Sequence, residues 1–435
     1  MPLLSARTAL RPGARVLLAL ALTLVAGCER TSVSRRALAE LEHVGFRADV
    51  PDSARGNAVF IDAWWSDDGA FLVTAHHLAN GLRVWDGRDG RLLCTLDASP
   101  LEGEVLVDGA RKRIVAHRRG SDALELGVFD ALDGRLLASA PDDRDRPAAL
   151  IGWTDGGAAF VAARPAGTEV LSSDDLRVLR RLELPADSSR YRPTGALLAG
   201  SYNDKRTVEQ SPSGARLARA SAVYDGGQRW FFELVELREM SIVSLESPSP
   251  QAGFASFAFS RDERLLALGL SDGLWLYDIT QRTFVRQVQI SGRRNNFIAP
   301  MAFTAGDRRI VALCDQLEVL TVDVATGEVF GQHAAPFEDW EGVFRVSADG
   351  SRAALYHFTS DTIEILDGPQ ARRIGWVCAY FCNQLHNPVR VHFELSPDGK
   401  TLAAAHRYGA ALWSTDEDRL LAPLNDPALA PVRPR

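Results

Sequence analysis

At 435 residues the chain exceeds the usual size of one compact core, so it folds either as several domains or as one architecture of repeated units. Hydrophobic residues at 46% and charged residues at 24%, with 35 Gly and 21 Pro, describe a turn-rich globular chain and exclude disorder, collagen and a polytopic membrane protein. The net charge is −7, and Arg supplies the positive charge beside only Lys112, Lys205 and Lys400; nothing here favours binding to nucleic acid.

The N-terminus reads as a processing signal. Arg7, Arg11 and Arg15 form a positive region, and Val16–Leu24 is an apolar stretch too short to span a membrane. It ends in Val25-Ala26-Gly27-Cys28, which resembles the bacterial lipobox. That resemblance implies cleavage before Cys28 and a thioether-linked lipid on its thiol; the alternative is an ordinary signal peptide followed by an incidental Cys. Several acyl chains on one N-terminus exceed the weak, reversible binding of a single chain, so the anchor is expected to be stable. Glu29 follows the Cys. By resemblance to the Gram-negative sorting pattern, the absence of Asp there favours the outer membrane, facing the periplasm, over the inner membrane. Cleavage removes three Arg and no acid, which moves the net charge from −7 to −10. The expected division is a signal peptide over 1–27, a lipidated N-terminus and tether over 28–57, a repeat domain over 58–424 and a C-terminal tail over 425–435.

Within 58–424 one register returns eight times. Each copy reads as an apolar strand, a tight turn, a small-and-apolar strand, a second turn, a strand ending in Asp, and a fourth strand. The turns are Ser66-Asp67-Asp68-Gly69, Val107-Asp108-Gly109, Thr154-Asp155-Gly156-Gly157, Ser211-Pro212-Ser213-Gly214, Ser260-Arg261-Asp262-Glu263, Thr304-Ala305-Gly306-Asp307, Ser347-Ala348-Asp349-Gly350 and Ser396-Pro397-Asp398-Gly399. Asp bonds its own following backbone, Pro fixes φ and Gly takes φ > 0, so these residues reverse the chain between two strands. The third strand carries a second signature, as in Leu82-Arg83-Val84-Trp85-Asp86 and Leu274-Trp275-Leu276-Tyr277-Asp278, with the two-residue alternation of a strand. Gly69 and Gly399 lie 330 residues apart over seven intervals, about 47 residues each, the period of a four-stranded propeller blade.

Together these features resemble the WD-repeat β-propeller family and the periplasmic Tol-associated propeller, whose blades share the Ser-Pro-Asp-Gly-like turn. The resemblance implies an all-β propeller of eight blades, each of four antiparallel strands. The Gly-His dipeptide of eukaryotic WD repeats is missing, and only Trp85-Asp86 keeps the namesake pair. The fourth copy is the poorest, with an insert at Pro185–Lys205, so seven blades is the alternative count. His43–Phe46 is a candidate closing strand for the last blade.

Seven residues after their turn glycines stand His76, His357 and His406; His117 lies one residue further from its own. With blades seven, eight and one adjacent in a closed ring, the loop Cys378-Ala379-Tyr380-Phe381-Cys382-Asn383-Gln384-Leu385-His386 reaches the same face. His76, His357, His386 and His406 are therefore candidate ligands for zinc or copper, or for a small molecule. The plainer reading makes these histidines hydrogen-bonding spacers between blades, with no cofactor. In an oxidising periplasm Cys378 and Cys382 are expected to form a disulfide, with a free pair or metal ligation as alternatives. Cys94 and Cys314 fall in strands of distant blades and read as buried thiols. Trp64, Trp65, Trp153, Trp230, Trp340 and Trp376 either line a carbohydrate or peptide groove or fill the spaces between blades. No catalytic constellation stands out in the sequence. The expected function is a non-enzymatic scaffold, anchored to the membrane through Cys28, that presents its loops to an envelope protein. The rival is a metal-dependent binder or enzyme built on the histidines.

Overall fold

The computed structural model describes residues 62–427 apart from 76–80, 99–103, 121–122, 144–146, 165–166, 184–207, 225–227, 248, 250–251, 289–296, 305, 315–317, 335–342, 358–361, 379–392, 407–408 and 418. These residues form eight sheets of four antiparallel strands, each sheet in sequence order: 62–96, 106–141, 149–183, 208–245, 254–288, 297–334, 343–378 and 393–424. They are blades 1 to 8, and all fall in the compact unit Asp49–Arg435. The only helical segments among the described residues are the single turns Asp155–Gly157 and Gly368–Gln370, and no helix there is long and apolar enough to cross a membrane.

The turn chemistry read from the sequence is what joins the first strand of a blade to the second. The Ser66 hydroxyl donates to Asp68 Oδ1 at 2.7 Å and accepts from the Phe71 N–H at 3.0 Å. The same serine-to-aspartate bond recurs at Ser260 and Asp262, Ser347 and Asp349, and Ser396 and Asp398. Gly350 closes its turn at φ +65°, and a Cβ there would sit 2.3 Å from the Phe303 carbonyl oxygen of blade 6. Glycine is thus required twice over, for the backbone angle and for the approach of the neighbouring blade.

The core lies between blades. Second and third strands are the most buried, and their alternating side chains face opposite neighbours. In the third strand of blade 1, Leu82 and Val84 pack toward blade 2 while Trp85 packs toward blade 8. Trp85 is fully buried, and its indole N–H donates to Thr74 Oγ1 at 2.8 Å. Blades 4 and 5 share the most aromatic junction, where Trp230, Phe232, Phe254 and Phe257 meet at centroid separations of 4.6 to 6.0 Å.

An apolar cluster fills every junction in turn, including that of blade 8 with blade 1. First strands of successive blades approach one another all the way round, so they line the axis and the ring is closed. The count is eight, not seven. Blade 4, the poorest copy in sequence, is complete: its first strand is only Val208–Gln210, whereas its middle strands Arg216–Tyr224 and Gln228–Glu236 run nine residues each. Blade 8 draws all four described strands from 393–424. His43–Phe46 lies outside the described residues.

Candidate functional site on the loop face

First strands run into the Ser-Asp-Gly turns, so the ends of the second and fourth strands share the opposite face of the ring. This is the loop face, where the sequence places its histidines. Strand pairing gives a firmer alignment than spacing from the turns. Counting back from the last residue of each third strand, the loop-end position of the second strand holds Arg118, Arg164, Ser221, Leu270, Cys314, His357 and His406 in blades 2 to 8. His117 is therefore not the counterpart of His357 and His406. It lies one residue earlier and on the other side of its sheet, because the first turn of blade 2 is longer.

In blades 2 and 3 these positions hold arginines in ion pairs, whereas Leu270 and Cys314 in blades 5 and 6 are buried. Arg118 bonds Glu125 across its own sheet at 2.7 Å and reaches Asp97, after the fourth strand of blade 1, at 3.2 Å. Arg164 bonds Glu169 at 2.8 Å and also pairs with Asp142, after the fourth strand of blade 2. Asp142 is the centre of this group. Its Oδ2 lies 3.0 Å from His117 Nε2 and accepts from the Ala148 N–H at 3.0 Å. Burial opposes ionisation of Asp142, but the bonds from His117, Ala148 and Arg164 outweigh it and hold the carboxyl well below the usual carboxylate range. A third pair of the same kind joins blade 8 to blade 1, where Arg83 Nε donates to Asp426 Oδ2 at 2.8 Å. Three consecutive junctions thus carry one device: an Asp just past the fourth strand of one blade bonds an Arg of the next.

Further charges are buried where the third strand faces the preceding blade. Arg83, Glu169, Glu233 and Glu364 occupy equivalent positions there, three residues before the strand ends. Glu233 pairs with Arg219 at 2.5 Å, and Glu364 lies 2.9 Å from His333 of blade 6. Sequence reading missed these pairs. The signal available to it was a charge at an inward position of an otherwise apolar strand, as in Ile363-Glu364-Ile365.

His357 and His406 end the second strands of blades 7 and 8, and Cys378 ends the fourth strand of blade 7. His357, Thr362 and Cys378 share one cross-strand row, which sets His357 and Cys378 two strand spacings, about 10 Å, apart. The side chains of His357, His406 and Cys378 lie outside the described part, as do residues Cys28, His76, Cys382 and His386. Among the described residues no group of three or more His, Cys, Asp or Glu is arranged to hold a metal ion. Trp64, Trp65, Trp153 and Trp230 pack into the clusters between blades instead of lining a groove. Trp340 and the Trp376 side chain are not described. Cys314 is buried; Cys94 is half-buried, and its thiol donates to the Ala131 carbonyl at 3.5 Å.

No protein-family model matches the chain, and no curated protein matches it in sequence. Solved structures resemble it in fold. The C-terminal WD40 domain of Sif2 superposes with a TM-score of 0.52 at 13% identity, covering 82% of this chain and 96% of that domain. Hsv2 of Kluyvelomyces marxianus superposes with a TM-score of 0.49 at 10% identity, covering 71% of this chain and 92% of that one. The architecture is that of a WD40-type β-propeller with eight blades.

Proposed function

We propose that this protein is a cell-envelope binding scaffold, held to the outer membrane by lipid on Cys28 and presenting propeller loops to a protein partner in the periplasm. The observation that carries this reading is how the loop face uses its charge. Arg83, Arg118, Arg164, Asp142 and Asp426 are engaged with one another and with neighbouring carboxylates across blade junctions. Such pairs fix the ring that displays the loops; they do not form a nucleophile with its base. WD40-type rings are suited to this role because their connecting loops vary while the blades hold position. The first strand of blade 1 starts, and the last strand of blade 8 ends, on the loop face. Replacing Cys28 by Ala and fractionating cells tests the anchor: the scaffold reading expects release from membranes, and retention would refute lipidation at Cys28.

A second reading keeps a metal-dependent ligand site at His76, His357, His386 and His406. His357 and Cys378 end on one row of blade 7 about 10 Å apart, so such a site would draw its ligands from more than one blade.

A further inference from the structure

Among the described residues, the junction of blades 8 and 1 differs from the other seven in that no connection from a fourth strand to a first strand crosses it. Every other junction is tied by the connection from a fourth strand to the next first strand. At this seam the described contacts are all noncovalent. Ala403, Ala410, Leu412 and Leu424 meet Ala63, Leu72 and Trp85 in an apolar cluster, and the Trp65 indole N–H donates to the Glu394 carbonyl at 3.4 Å. Arg83 and Asp426 add an ion pair whose side chains are 6% and 2% exposed. Arg83 also donates to the Gly81 carbonyl at 3.1 Å, which holds the guanidinium in line with the carboxylate. Asp426 stands two residues beyond the last strand, so the pair binds the C-terminal end of the ring to the third strand of its first blade.

We propose that Asp426 is the latch of the ring: the propeller opens first at the blade 8/1 seam, and the buried Arg83–Asp426 pair governs how often it does so. Three of the seven buried residues in the seam cluster are alanines, so the apolar contact per residue is small beside the aromatic junction of blades 4 and 5. Losing Asp426 removes the carboxylate that accepts from Arg83 Nε inside the seam, whereas the intact pair is shielded from salt by its burial. Opening exposes the faces of Leu72, Trp85, Leu412 and Leu424, an apolar surface that a closed ring keeps from other chains. The latch therefore couples the last residues of the ring to whether the protein stays a single closed body.

Hydrogen exchange on the full chain tests this. Asp426→Asn is expected to raise exchange in segments 63–85 and 403–424 by on the order of a hundredfold, with segment 232–259 between blades 4 and 5 unchanged. Asp142→Asn breaks another buried pair, at a junction that the chain does cross, and is expected to leave the seam segments as protected as before. Arg83→Lys keeps the charge but loses the second donor; it covers the case in which Asp426→Asn does not fold, with about a tenfold rise expected at the same segments. The proposal is overturned if exchange rises equally around the ring, or if the seam segments do not respond.

Discussion

His117 Nε2 and Asp142 Oδ2 lie 3.0 Å apart inside the junction of blades 2 and 3, with side chains 1% and 0% exposed. The carboxylate also accepts from the Ala148 N–H and pairs with Arg164, so one Asp ties two strands of its own blade to the next blade. Asp142 is stabilised as an anion, and that sets a pH dependence. Its folded pKa is below the unfolded value of about 3.9, so its contribution is complete above that value and is lost as pH falls through the folded pKa. Asp142→Asn should cost about 3 kcal/mol at neutral pH, and the difference from wild type should shrink below about pH 4. Denaturant melts across pH 2–7 check this; a difference independent of pH would show that Asp142 is not held as an anion.

Two turn glycines separate backbone strain from crowding. A Cβ at Gly156, φ +63°, meets nothing within 4 Å, whereas one at Gly350, φ +65°, meets the Phe303 carbonyl at 2.3 Å. Gly156→Ala should cost about 1 kcal/mol and Gly350→Ala about 3 kcal/mol or more, read from urea midpoints. Equal costs would mean that the turns do not press on their neighbours.

Burial pushes the Cys94 thiol up to about 12, with the carboxylates of Asp133 and Asp130 adding to it. In the native protein Cys94 should stay a thiol at pH 8 and react with a maleimide at least a hundredfold more slowly than after unfolding in urea. Mass mapping of the labelled cysteines gives the rate at this position.

The hydrogen bond from Trp85 to Thr74 is sealed from water, both residues being fully buried. Trp85→Phe should destabilise the fold by about 2 kcal/mol through lost volume and the lost hydrogen bond to Thr74, and adding Thr74→Val to it should cost less than Thr74→Val does alone. A thermodynamic cycle on the two variants measures the coupling.

Metal analysis separates the two functional readings. The scaffold predicts purified protein without stoichiometric zinc or copper, and unchanged melting after chelation. One equivalent of metal that disappears in a His357→Ala/His406→Ala variant would establish the rival site.

The repeat was legible because turn chemistry and strand alternation are local. Ser66-Asp67-Asp68-Gly69 and Leu82-Arg83-Val84-Trp85-Asp86 declare a turn and a strand wherever they stand, and eight copies in register give the ring. The role of Arg83 was not legible, because its partner Asp426 lies 343 residues away in sequence and meets it only on closure. His117 misled for a related reason: spacing from Gly109 takes no account of the longer turn that follows, and only strand pairing shows that Arg118 is the counterpart of His357. Blade 4 looked degenerate because its two long middle strands depart from the common length, while the apolar residues that fill its junctions, Leu217, Phe232 and Val235, are intact.

An anchored ring that binds a partner through its displayed loops must touch that partner in the intact envelope. Photo-crosslinking in intact cells, with the probe placed in turn on the loop face and on the opposite turn face of the full chain, tests it most directly. The account predicts a discrete adduct with one envelope protein from loop-face positions, weakened when Cys28→Ala releases the chain from the membrane. No discrete adduct from any loop-face position, with the wild-type chain at the membrane, would contradict it.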